Sequence, residues 1–115
     1  MPLDRRPIEQ MITDVGAEAF QRLARLFAAE TRAAVGEMQR LSAAGDWREL
    51  GRQAHSLKNS TASFGLVELS AIARALEAAA DAGQAASATA LVERLEKDVE
   101  TEIAALDRVV TALGD

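Results

Sequence analysis

The sequence predicts an all-α fold, an up-down antiparallel four-helix bundle with a short additional N-terminal helix. Three observations carry this. Alanine is abundant and β-branched residues are sparse, which favours helix throughout. The only two prolines, Pro2 and Pro7, lie at the very start, so no helix beyond them is broken. Apolar residues then recur every three or four positions in four stretches, each closed by a glycine.

The elements follow in order. Pro7 suits the first turn of a short helix running to Thr13. Gly16 separates it from a long helix over Ala17 to Ala43, with Phe20, Leu23, Phe27, Ala34, Met38 and Leu41 on its apolar stripe. Gly45 ends that helix, and Asp46 with Glu49 three residues on makes a capping-box-like start to the third. Leu50, Ala54, Leu57, Thr61 and Phe64 form the third stripe, which fades near Gly65. The fourth helix spans Val67 to Ala82, carries Leu69, Ile72, Ala73 and Leu76 inward, and stops at Gly83. The fifth spans Ser87 to Ala112, with Gly114 beyond it. Leu91, Leu95, Val99, Leu106, Val110 and Leu113 form its stripe, and Val92, Ile103 and Val109 its flanks. Connections of two to five residues force consecutive helices antiparallel.

Composition narrows the function. A chain of 115 residues has the size of one ordinary domain, expected to run over 1–115. The absence of cysteine excludes disulfides, iron–sulfur clusters and thiol chemistry, and with a single histidine no zinc site is expected. Thirteen basic residues against eighteen acidic ones give a net charge of −5, with no basic stripe for nucleic acid. No signal-like leader and no stretch of twenty apolar residues is present, so the protein is expected to be cytoplasmic, without membrane attachment.

His55, the sole histidine, is the natural candidate for chemistry. Imidazole titrates near neutrality, which leaves a nucleophilic nitrogen at cellular pH. Leu57 belongs to the buried stripe, and His55 lies about 200° around the helix from it, facing outward. Lys58, Asn59 and Ala62 share that outward face. The pairing of an imidazole with a fixed ammonium suits accepting and holding a phosphoryl group. Taken alone, the two residues are more often an inert surface than a site, since a single solvent-facing histidine on a helix is usually without function.

The segment His55-Ser56-Leu57-Lys58-Asn59-Ser60 through Gly65 resembles the signature of histidine-containing phosphotransfer (Hpt) domains, His-x-Leu-Lys-Gly followed by small residues and a second glycine. Gly16 with Phe20, the turn Ala44-Gly45-Asp46-Trp47, and Leu69, Leu76 and Glu77 extend the likeness over nearly the whole chain. The resemblance implies that His55 receives a phosphoryl group from the aspartyl phosphate of a receiver domain and passes it to another receiver in a phosphorelay. It implies that Lys58 helps neutralise the phosphoryl oxygens, and that Glu77 hydrogen-bonds the other ring nitrogen. It implies no cofactor of the chain's own, Mg²⁺ being expected on the receiver, and partners that are response regulators and a hybrid histidine kinase. No kinase activity is expected, since no phosphate-cradling glycine loop is present.

One position departs from the family pattern. Asn59 stands where a glycine or another very small residue is usual, and its amide either crowds the site or donates to the phosphate. This keeps open a second reading, an adaptor that binds receivers without being phosphorylated. A third, the dimerising histidine hairpin of a sensor kinase, fits less well, because Ser56 follows the histidine and one chain supplies four helices. A monomer is therefore expected. The partner surface should centre on His55, with Asn59 and Ala62 beside it and Ile8, Met11 and Val15 as apolar candidates that could equally be core.

Overall fold

The computed structural model of the protein describes residues 3–114. It contains α1 (Arg5–Val15), α2 (Ala17–Ala44), α3 (Trp47–Ser63), α4 (Val67–Asp81) and α5 (Ala85–Gly114). The only extended pairing among the described residues is an isolated antiparallel bridge between Leu3 and Leu66. Helices α2 to α5 close a ring in which α3 packs on α4, α4 on α5, α5 on α2 and α2 on α3, while α1 lies against α2 and α3. The molecule measures 45 × 22 × 18 Å. Its long axis matches the span of about 45 Å that the rise per residue gives for a helix the length of α5.

Caps explain the boundaries. α1 begins before Pro7 because Asp4, in an extended conformation, accepts a hydrogen bond from the Arg6 amide at 3.0 Å. Pro7 still sits in the first turn, where its missing N–H is not needed. Gly45 takes the left-handed conformation at φ 71° and closes α2, with the Asp46 amide donating to the Leu41 carbonyl. The Asp46 side chain then caps α3 through the Glu49 amide at 3.3 Å. Only half of the expected capping box forms, because the Glu49 carboxylate pairs with Arg52 and Gln53 instead. α5 begins at Ala85 and includes Gly114, earlier and later than the glycine pattern suggested.

The core differs from the sequence pattern in phase on two helices. In α2, Phe20, Ala24, Phe27, Thr31, Val35, Met38 and Leu41 are buried, whereas Leu23 is 42% exposed and Ala34 is half-buried. Leu23 sits at the edge of the stripe toward α3, where the helix surface opens to solvent. In α5, Val92 and Ile103 are fully buried rather than flanking, because α5 is covered by both α2 and α4. The α3 and α4 stripes are inside as expected, save that Phe64 is half-buried. Its ring stacks on Phe27 at 4.3 Å between centroids and tilts toward Phe20 at 6.1 Å, fastening the end of α3 to α2.

Gly65 anchors the N-terminal segment. Its φ of 74° disfavours any side chain, and a Cβ there would run into the Asp4 carbonyl. The Asp4 amide donates to the Gly65 carbonyl at 2.7 Å. α1 is thereby held at the end of the bundle formed by the α3–α4 turn, and its Ile8 side chain is 1% exposed. Ile8 therefore belongs to the core and is withdrawn from the candidate partner surface. Its side chain fills the space that α1 closes over α2 and α3.

Candidate functional site

His55 lies in the middle of α3 with 56% of its side chain exposed. The buried phase of Leu50, Ala54 and Leu57 turns the ring outward, as the 3.6-residue period requires. α4 runs antiparallel beside it. One turn earlier on α3, Gly51 is buried against α4, and a Cβ there would stand 2.7 Å from an Asp81 carboxylate oxygen. The two helices approach closely at this point, and Glu77, one turn before Asp81, comes level with His55. The Ser70 hydroxyl donates to the Lys58 carbonyl at 3.0 Å and ties the same two helices further along.

Glu77 joins the site together. Its Oε2 lies 2.8 Å from His55 Nδ1, and its Oε1 accepts from Lys58 Nζ at 2.8 Å. Both Lys58 and Glu77 are largely shielded, at 22% and 23% side-chain exposure. The Lys58 hydrogen bond first, and the His55 contact second, hold the Glu77 carboxyl below the usual carboxylate range. An ionised carboxylate can only accept, so His55 Nδ1 must carry the proton. In the neutral ring Nε2 then bears the lone pair and faces outward. The Asn59 amide nitrogen, one turn along α3, approaches Nε2 at 3.4 Å and is oriented to donate to it.

This arrangement exposes a nucleophilic nitrogen of fixed tautomer, backed by a carboxylate that can offset positive charge on the ring. Lys58 is directed at Glu77 rather than out toward Nε2. Ala62 is exposed one turn beyond Asn59 on the same helix. Met11 packs partly buried against the core, and Val15 is 46% exposed. Both belong to α1, which is anchored at Gly65, roughly 15 Å along the helix direction from His55. The described residues contain no group of His, Asp and Glu arranged to hold a metal ion, and no helix long and apolar enough to cross a membrane.

The sequence pattern missed a groove of about 640 Å³ between α2 and α3, lined by Leu23, Leu26, Phe27, Ser56, Ser60 and Phe64. Leu26 is 57% exposed, and with Leu23 it forms an apolar rim beside the His55 helix. The available signal was a leucine lying off the stripe on an otherwise polar helix face.

A comparison with protein families adds the decisive finding: the profile described as Hpt domain matches residues 22–109, from early α2 to late α5. The chain belongs to the Hpt domain family. Membership implies histidine phosphotransfer in two-component phosphorelays, with receiver domains and histidine kinases as the family's general partners. Hpt domains are phosphoryl carriers without kinase activity. No curated protein and no solved structure matches the chain.

Proposed function

We propose that this Hpt protein is a cytoplasmic, stand-alone and monomeric phosphoryl carrier whose reacting atom is His55 Nε2. The contact of 2.8 Å between His55 Nδ1 and Glu77 carries the reading, because it leaves the lone pair on the outward nitrogen. In the receiving step Nε2 attacks the phosphorus of a receiver's aspartyl phosphate in line. The Nε2–P bond forms, the P–O bond to the aspartate breaks, and the carboxylate leaves with the electron pair. His55 keeps its Nδ1 proton throughout, so the ring gains positive charge, which the Glu77 carboxylate offsets. Reversal onto a second receiver's aspartate completes the relay. The protein needs no metal of its own in this scheme, since the Mg²⁺ that neutralises the phosphoryl oxygens is the receiver's. Lys58 contributes by holding Glu77 in place and keeping it ionised.

The docking face follows from where His55 sits. A receiver whose aspartate reaches Nε2 covers the surface on either side of α3. There it meets Asn59, Ala62 and the α2–α3 groove rimmed by Leu23 and Leu26. α1 lies at the α3–α4-turn end of the bundle and His55 midway along α3, so we place Met11 and Val15 at most at the margin of the docking face.

Transfer of label from a phosphorylated receiver domain tests the reading. Wild type should acquire acid-labile, base-stable label, and His55→Gln should acquire none while remaining folded. A second reading rests on Asn59, whose amide covers Nε2: the protein would dock receivers without being phosphorylated. A His55→Gln variant that still supports signalling in cells would select that adaptor role.

A further inference from the structure

Asn59 is the one residue of the site that the phosphotransfer scheme leaves without a task. Lys58 is committed to Glu77 Oε1 on the Nδ1 side of the ring. Among the described residues, Asn59 is the only side chain within hydrogen-bonding distance of Nε2. Because the Nδ1 proton is fixed by Glu77, the partner Nε2 requires is a donor, which assigns the Asn59 NH₂ group to this contact. At 3.4 Å the bond is long and readily released. Asn59 is itself exposed, and the next turn presents only Ala62 and Ser63, so a group added at Nε2 has room beside the amide.

We propose that Asn59 is the phosphoryl-side donor of this site: its amide shields the Nε2 lone pair before transfer and donates to a phosphoryl oxygen afterwards. A hydrogen bond to a charged oxygen is stronger than one to a neutral ring nitrogen. The amide therefore favours the phosphorylated state over the free one. Asn59 slows acceptance modestly and lengthens the life of the phosphohistidine, giving a carrier that stores its phosphoryl group.

This inference rests on His55 as the phosphoryl carrier, and the test separates the two. Phosphoramidate serves as a donor that needs no partner protein. The Nε2–P bond forms as the P–N bond of phosphoramidate breaks, and ammonia leaves with the electron pair. Wild type, Asn59→Ala and Asn59→Asp are compared, the alanine variant improving helix propensity so that the fold is not at risk. Asn59 is the only asparagine in the chain, so ¹⁵N-asparagine labelling gives a single side-chain amide to follow by NMR.

On phosphorylation the wild-type amide protons should move downfield. The phosphohistidine half-life should fall at least threefold in Asn59→Ala and further in Asn59→Asp, where an isosteric carboxylate repels the phosphoryl group. Acceptance from phosphoramidate should rise in Asn59→Ala. Equal half-lives in all three proteins, or amide signals that stay in place, overturn the Asn59 role and leave the carrier reading intact. A wild type that takes label from neither phosphoramidate nor receivers overturns both.

Discussion

Glu77 on α4 retains 23% of its side-chain exposure and gives both carboxylate oxygens to basic partners, whereas Glu102 on α5 is 4% exposed and leaves Oε1 without a hydrogen-bond partner among the described residues. The two are driven in opposite directions. Lys58 and then His55 hold the Glu77 carboxyl low. Burial, and then the neighbouring carboxylates of Glu68 and Asp98, push that of Glu102 up. Arg94 is shared between Glu68 and Asp98. A carboxylate at the α3–α4 seam is thus organised around an exposed imidazole and an ammonium, while one at the α5 seam is a burden that the rest of the core must carry.

Removing Glu77 should have the largest effect. Glu77→Ala frees the ring to change tautomer and orientation and releases Lys58. Transfer from a phosphorylated receiver should slow roughly tenfold to a hundredfold, in line with the cost of misplacing a reacting group. Thermal unfolding should shift only modestly, because Lys58 loses its partner but no core packing is removed. Glu77→Gln should retain more activity, since its carbonyl oxygen can still accept from Nδ1. A wild-type rate in Glu77→Ala would reduce Glu77 to an ordinary surface ion pair.

Glu102 should behave in the opposite sense. Replacing it with leucine removes an unsatisfied buried polar group, and the free energy of unfolding in urea at neutral pH should rise by about 1–3 kcal/mol. A loss of stability would mean that the Glu102 carboxylate has a partner after all.

The smallest effect is the pH dependence, and it sharpens the contrast. Glu102 has a raised carboxyl in the folded state, so the native protein holds its proton longer than the unfolded chain does. Its contribution is therefore fully present below the ordinary carboxylate range and is lost as pH rises through its folded titration. Glu77, with a lowered carboxyl, contributes above the ordinary range and loses that contribution as pH falls through its own folded titration. Urea denaturation between pH 4 and 8 should show the stability of wild type relative to Glu102→Leu falling as pH rises, because the raised Glu102 carboxyl is the group the variant lacks. Parallel profiles would remove Glu102 from the linkage.

Much of this was legible residue by residue. The Leu50, Ala54, Leu57 spacing gives the phase of α3 and so the outward face of His55. Asp46 announces the start of α3, and Gly45 and Gly83 mark turns they do in fact make. Asp4 as the cap of α1 was equally readable, but Pro7 draws the start of the helix toward itself. Leu23 and Ala24 could not be ranked from periodicity, because both lie within the stripe's width and only the position of α3 decides which edge is open. Glu102 reads as surface on any hydropathy pattern. It is buried because α5 is covered from two sides, which widens its inward arc past the residues the pattern reserves for it. Glu77 was reached through the family resemblance, since nothing local to α4 prefers it to Glu68.

What the sequence by itself determined is local: five helices, the turns at Gly45, Asp46 and Gly83 and the inward faces of α3 and α4, together with a histidine and a lysine one turn apart. These depend on the 3.6-residue period and on caps within a few residues, and need no knowledge of the rest of the chain. The tertiary structure alone decided that Glu77 meets His55 across 22 residues, that Gly51 and Gly65 sit where backbones and side chains crowd, and that Glu102 is enclosed. Each of these depends on the register and separation of two packed helices, and only the packing of the whole core fixes them.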